Sequence, residues 1–271
     1  MARARPAFGW RPGARFAGRA GWIALISAAA ALSGAASEIK VMTSGAFTAA
    51  YQDLFPRFQS ATGHTFVTAA TSMGVGREAI PFRLKSGEPV DVVIVAAPAL
   101  DQLVADGLVA AGSRVALATS SIGVAVKSGS PKPDIASAEA FKRALLAART
   151  IAYSASVSGD YFVNELLPRL GIAGQVMPKC TRITQERVGV VVARGEAELG
   201  LQQISELLPI PGIELIGPLP PELQKVTVFA AGIPMAARDP VAAKDFLRYL
   251  SSPAAADAIR RTGLDPVVPR P

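Results

Sequence analysis

The sequence predicts an α/β fold with mostly parallel sheets. Strand-like runs alternate with helical ones along the chain, the pattern of helices covering a sheet. The stretch "PVDVVIVA" is a near-continuous apolar run, as expected of a strand buried on both faces of a parallel sheet. Three strand-to-helix junctions are also rich in Ser, Thr and Gly, which places polar turns at strand ends.

The elements follow in order. Residues 1–36 carry Arg3, Arg5, Arg11, Arg15 and Arg19, then the apolar run Trp22 to Leu32, then Ser33-Gly34-Ala35-Ala36. This is the pattern of a secretory signal peptide, cleaved near Ala36, and its apolar run is too short to span a bilayer comfortably. Glu38 to Met42 predicts a strand. Phe47 to Ser60 predicts a helix with Ala50, Leu54 and Phe58 on one face. His64 to Ala69 is the second strand, and Arg77 to Ser86 a helix interrupted by Pro81. "PVDVVIVA" is followed by the helix "PALDQLVADGL", which stops at Gly107. "VALATSSIGVAVKSG" holds two strand segments separated by Thr119-Ser120-Ser121, and "PKPDI" is a turn. Then come the helix Ala138 to Ala148, the strand "TIAYS", the helix Asp160 to Leu170 stopped by Gly171, and a helical stretch holding Gly189 to Gly195. "LGLQQI", "GIELIGPLP" and "KVTVFAAGI" predict strands, and Asp239 to Leu250 and Pro253 to Thr262 predict the last helices.

Charge and cysteine content exclude several classes. The formal charge of +7 falls to +2 once residues 1–36 are set aside, because five arginines and no acid lie there. No basic stripe with interleaved aromatics is present, so nucleic acid is not an expected partner. Cys180 is the only cysteine and His64 the only histidine, which rules out an intrachain disulfide and leaves no Cys/His cluster with metal-ligand spacing. No cofactor is expected: neither GxxxxGK[ST] nor GxGxxG occurs.

The candidate site lies in the polar turns. They are Thr43-Ser44-Gly45, Thr71-Ser72-Met73-Gly74 and Ser156-Val157-Ser158-Gly159. In open α/β sheets, ligands bind at the carboxyl ends of strands, and hydroxyls with free N–H groups cradle an anion there. Each turn taken alone reads equally as ordinary helix capping. Arg77 and Arg187 are candidates for bidentate pairing with a carboxylate, or are solvated surface residues. Glu78, near the second turn, and Asp160, beside the third, are candidate general bases. Asp160 also reads as a charge favoured at a helix start, and Glu78 as a solvated acid.

The stretches "VMTSGAFTAAYQDLFPRFQSATG", "SGEPVDVVIVAAPALDQLVADGLV", "VARGEAELGLQQ" and "AAKDFLRYLSSPAAADAIRRTGL" resemble type II periplasmic solute-binding proteins, in the molybdate-binding branch of ABC importers. The resemblance implies two α/β lobes joined by a hinge, with 37–118 plus 228–271 as the first lobe and 119–227 as the second. It implies a periplasmic monomer that clamps a small anionic ligand and delivers it to an ABC permease in the inner membrane. Ser44 and Ser72 match that family's serines after the first two strands, and Gly159 falls near a backbone donor of the second lobe. Two departures stand out. Molybdate binders carry a tyrosine where this chain has Gln202-Gln203, and the loop "SMGVGREAIPFRL" is longer and brings Arg77 near the cleft. "TSGAFTAAY", "ELLPRLGI", "GLQQISELLPIPG" and "GPLPPELQKVTVFAAGIP" are similar to a subgroup that includes a periplasmic aconitate isomerase.

Two functions follow. The first is a binding protein that clamps a carboxylic acid or an oxyanion such as molybdate. The alternative is an isomerase that interconverts trans- and cis-aconitate by proton transfer on the same fold, which needs a general base and stabilisation of a dienolate. Gln202 and Gln203 suit substrate orientation in either case, since amides are poor bases.

Overall fold

The computed structural model describes residues 36–267 except 71, 72, 74 and 75. Apart from Ala36, the expected export segment lies outside the described residues. The chain runs β1 Glu38–Thr43, α1 Thr48–Thr62, β2 Thr65–Ala70, α2 Ile80–Lys85, β3 Val92–Ala96, α3 Ala97–Ala105 and β4 Val115–Ser120. It continues β5 Ile122–Lys127, α4 Ala138–Ala147, β6 Ile151–Ser154 and α5 Val157–Tyr161, then a π-helical turn Phe162–Leu166 leading into α6 Leu167–Arg169. Next come α7 Ala173–Val176, β7 Cys180–Ile183, α8 Val188–Arg194, β8 Leu199–Gln203, α9 Ile204–Leu207 and β9 Ile213–Pro218. The last elements are β10 Thr227–Gly232, α10 Pro240–Leu250, α11 Pro253–Arg261 and β11 Asp265–Pro266.

These strands build two sheets, one of order β11-β4-β10-β3-β1-β2 and one of order β7-β6-β8-β5-β9. The fold is α/β and two-lobed, but the sheets are mixed rather than mostly parallel. In the first, β1 pairs parallel with β2 and β3, while β10 runs antiparallel between β3 and β4. In the second, β6 pairs parallel with β7 and β8, while β5 is antiparallel to β8 and β9. The antiparallel members include the two strands, β4 and β5, that carry the chain from one sheet to the other. A strand that enters a sheet without a helical crossover has no need to run parallel.

"PVDVVIVA" behaves as its composition demands. Val92 and Ile94 sit in a core with Phe47, Tyr51, Leu54, Phe229 and Phe246, while Val93 and Val95 enter a second core with Met42, Ile80, Leu84 and Leu100. Period-two alternation thus feeds both faces of the sheet. The second sheet is likewise covered on both faces: Ile151, Tyr153, Leu199 and Leu201 join Phe141, Phe162 and Leu166, and Ala152 joins Val188 and Val192.

Pro81 resolves simply. The helix begins at Ile80, so Pro81 occupies its first turn, where a missing N–H costs nothing. The helix expected from Asp160 begins earlier, at Val157, and passes through the π turn. β7 was not expected from the sequence; its two end residues are half-buried and its two central ones exposed.

The chain crosses between sheets at Ser121 and returns between Pro218 and Thr227. The two crossings are tied together. Gln224 clamps Ile122 from both sides, its Oε1 accepting from Ile122 N at 2.9 Å and its Nε2 donating to Ile122 O at 3.0 Å. Ile204 N donates to Ser121 O at 2.9 Å. Register shows which sheet edges face this junction. Ala96, ending β3, pairs with Phe229 near the start of β10, and Gln203, ending β8, pairs with Ile122. The carboxyl ends of the parallel strands in both sheets therefore point toward the crossing.

Candidate functional site

In the second sheet β7, β6 and β8 are neighbours, so the turns after their carboxyl ends form one wall. The turn after β6 supplies hydroxyls. Ser154 and Ser158 are buried, and the Ser154 hydroxyl lies 2.7 Å from that of Ser156 and 2.9 Å from that of Ser158. Ser156 is the N-cap residue of α5, yet its side chain makes no capping bond; the three hydroxyls bond one another instead. Each can turn its proton outward as well as inward. Gly159 has a packing reason to be glycine: a Cβ there would lie 1.7 Å from the Ser154 carbonyl oxygen.

The turn after β7 supplies Arg187, the N-cap residue of α8, which is half-buried and makes no ion pair among the described residues. The end of β8 supplies Gln202 and Gln203, both buried. Gln202 is held at both ends of its amide: Oε1 accepts from Val188 N at 2.9 Å, and Nε2 donates to Glu206 Oε1 at 3.1 Å. Gln203 Nε2 donates to Thr227 Oγ1 at 3.2 Å, joining the second sheet to the first strand segment after the return crossing. Its Oε1 has no partner among the described residues, nor do the buried hydroxyls of Ser120 and Ser205.

Glu206, one turn beyond Gln202, is the residue that sequence reasoning missed. It is half-buried, and its Oε2 is shut off from solvent with no hydrogen-bond partner among the described residues. Burial pushes its carboxyl up to about 7, against the opposing pull of the Arg187 charge and the Gln202 hydrogen bond. The signal available in the sequence was position: Glu206 follows the strand "LGLQQ" by three residues, at the same kind of strand end as the three polar turns.

The turn after β1 is largely self-satisfied. Thr43 is fully buried, with its hydroxyl 3.3 Å from that of Thr48, and Ser44 N donates to Ile94 O at 3.0 Å. Gly45 takes φ +81°, and a Cβ there would stand 2.9 Å from the Phe229 ring. The Ser44 side chain is half-buried. Of the second turn, Ser72 and Gly74 lie outside the described residues, while Met73 packs against the core that holds Met42 and Leu100. Arg77 and Glu78 are exposed ahead of α2. Asp160 is exposed, with an oxygen 3.8 Å from Arg182.

The other reactive groups stand elsewhere. His64 stacks on Phe58 and accepts from Ser37 N, and Cys180 donates to Val176 O with burial pushing its thiol up to about 11. Neither is placed for nucleophilic work. Among the described residues no cluster of His, Cys, Asp and Glu could hold a metal ion.

Two lobes whose strand ends converge on a double crossing define the class of ligand-clamping proteins, and comparison with known proteins agrees. The chain belongs to the bacterial extracellular solute-binding protein family, whose model matches residues 39–265. It is 44% identical over 234 residues to an aconitate isomerase from a Pseudomonas species, covering 86% of this chain and 89% of that protein. In fold it resembles the periplasmic molybdate-binding protein of Azotobacter vinelandii, at 22% identity and a TM-score of 0.62 over 86% of this chain and 100% of that one. Peb3 of Campylobacter jejuni is similar at 13% identity and a TM-score of 0.64, over 84% of this chain and 99% of that one.

Proposed function

We propose that this protein is a cofactor-free isomerase that interconverts trans- and cis-aconitate in the periplasm, after export by the segment 1–36. The observation that carries the reading is the wall formed by Arg187, Gln202 and the serines 154, 156 and 158. A guanidinium that makes no ion pair among the described residues, an anchored amide and rotatable hydroxyls match the demands of carboxylates. The relative at 44% identity, an aconitate isomerase of nearly the same length, supports a tricarboxylate over an oxyanion. So does Gln202-Gln203 at the position where molybdate binders carry a tyrosine.

In this reading the first lobe closes through Ser44 and Arg77 over a substrate held on the second. Arg187 pairs with one carboxylate and the serine hydroxyls donate to another. Negative charge that develops on the carboxylate beside the reacting carbon is stabilised by those donors, which are already in place.

The family match supports a second reading, a binding protein that hands such acids to an ABC permease. A proton NMR time course of trans-aconitate with the purified protein separates the two. Growth of cis-aconitate signals above a protein-free control is the expected result. Broadened substrate lines without conversion would make the protein a carrier of such acids. Neither effect would redirect the search to oxyanions, molybdate included.

A further inference from the structure

We propose that Glu206 is the general base of this site, taking a proton from one carbon of the substrate and returning it to another. The proposal rests on the isomerase reading above and names the residue that reading requires. Three geometric facts carry it. Glu206 sits at the carboxyl end of β8, on the wall shared with Arg187 and the serine turn. Gln202 Nε2 fixes one carboxyl oxygen at 3.1 Å while the other, Oε2, has no protein partner. Arg187, the N-cap residue of α8, precedes Val188, whose N–H donates to the same Gln202 amide, and it makes no ion pair among the described residues. The carboxyl is held by one oxygen, and the other is unpaired and covered, so bound substrate must uncover it to react there. The candidates from sequence, Glu78 and Asp160, are exposed, and Asp160 stands near Arg182.

The step balances without an oxidant, reductant or co-reactant. Ionised Glu206 removes one proton from the methylene carbon of aconitate. The C–H electron pair forms the new carbon–carbon double bond, and the old double bond's electrons pass to the adjacent vinylic carbon and its carboxylate. The protonated Glu206 then delivers a proton to that former vinylic carbon, which becomes the methylene. The double bond has moved by one carbon, and the enzyme regains its starting state. A carboxyl that titrates near neutrality has the driving force for both halves of this exchange.

The test compares wild type with Glu206→Gln, which keeps the shape and the Gln202 contact, by proton NMR with trans-aconitate in H2O and D2O. Wild type should convert substrate in both solvents, and little deuterium should enter the product, because the returned proton sits on an oxygen shut off from solvent. The variant should lose kcat by roughly 10²–10⁴-fold, while its substrate Kd stays within about threefold. Glu206→Asp should recover part of the rate, with a displaced pH profile of kcat/KM, which a purely structural role would not produce. If Glu206→Gln folds and converts aconitate at the wild-type rate, the assignment of Glu206 is overturned and the isomerase reading stands. If wild type itself neither converts aconitate nor exchanges deuterium, the functional reading falls, and the base with it.

Discussion

At the scale of single residues, Glu206 ties stability to pH. Burial keeps its proton on to about 7 in the folded chain, whereas the ordinary value is 4.5. Between those values the folded state binds more protons than the unfolded one, so this contribution is fully present below about 4.5 and is lost as pH rises through 7. Glu206→Gln removes the titration. The stability of wild type relative to that variant should fall by on the order of 1–3 kcal/mol between pH 4.5 and 8. Urea unfolding at stepped pH measures it, and two parallel curves would count against a buried carboxyl. The same residue shows why the site was only partly legible in the sequence. Polar turns advertise themselves by composition, so the serine turn stands out as a candidate, and Gln202-Gln203 stands out only against the tyrosine of the molybdate binders. Glu206 lies in "ISELL", a short apolar stretch whose lone acid looks solvated until the fold sets it against Arg187 and Gln202. Thr43 misled in the opposite direction, since its hydroxyl is fully buried against Thr48.

At the scale of elements, the first lobe is assembled around Asp91. This carboxylate is 1% exposed and accepts from Lys40 N at 2.8 Å, Arg238 N at 2.8 Å and Asp239 N at 3.1 Å. It joins the loop before β3 to β1 and to the entry of α10, whose own N-cap Asp239 accepts from Ala242 N. Asp91→Ala strands three backbone donors and should cost roughly 3 kcal/mol or more. Asp91→Asn keeps an acceptor and should cost less, a ranking that thermal unfolding of both variants would check. Equal losses would show that charge rather than hydrogen bonding holds the junction. In the sequence, Asp91 disappears within "PVDVVIVA", because the apolar run dominates the reading. That run correctly announces a strand buried on both faces. What it does not encode is the direction of its neighbours: β10, "TVFAAG", is as apolar as a parallel strand and pairs antiparallel. Strand direction is set by the route of the connection, here a return from the other lobe. β7 was lost for a different reason, since a half-exposed edge strand, "CTRI", carries neither alternation nor an apolar run.

At the scale of the whole molecule, each sheet has its own apolar cores, and two chain crossings join them. The contacts beside those crossings are polar: Gln224 with Ile122, Gln203 with Thr227, and Ser121 O with Ile204 N. Bonds of this kind fix the position of the crossings without welding the cores, because each contributes only about 1 kcal/mol net. Two lobes connected in this way should unfold in overlapping but separable steps. A substrate gripped by Arg187 and the serine turn on one side and by the Ser44 turn on the other would supply the missing coupling. At a free ligand concentration one hundred times its Kd, an equilibrated aconitate mixture should stabilise the protein by about 2.7 kcal/mol. For a chain of this size that raises Tm by roughly 5–10 °C. The decisive feature in scanning calorimetry is the shape of the transition. A ligand that bridges both lobes must leave before either can unfold, so the two steps should merge into one as they move upward. If a single step shifts while the other stays where it was, the ligand is held by one lobe alone, and clamping between lobes is excluded.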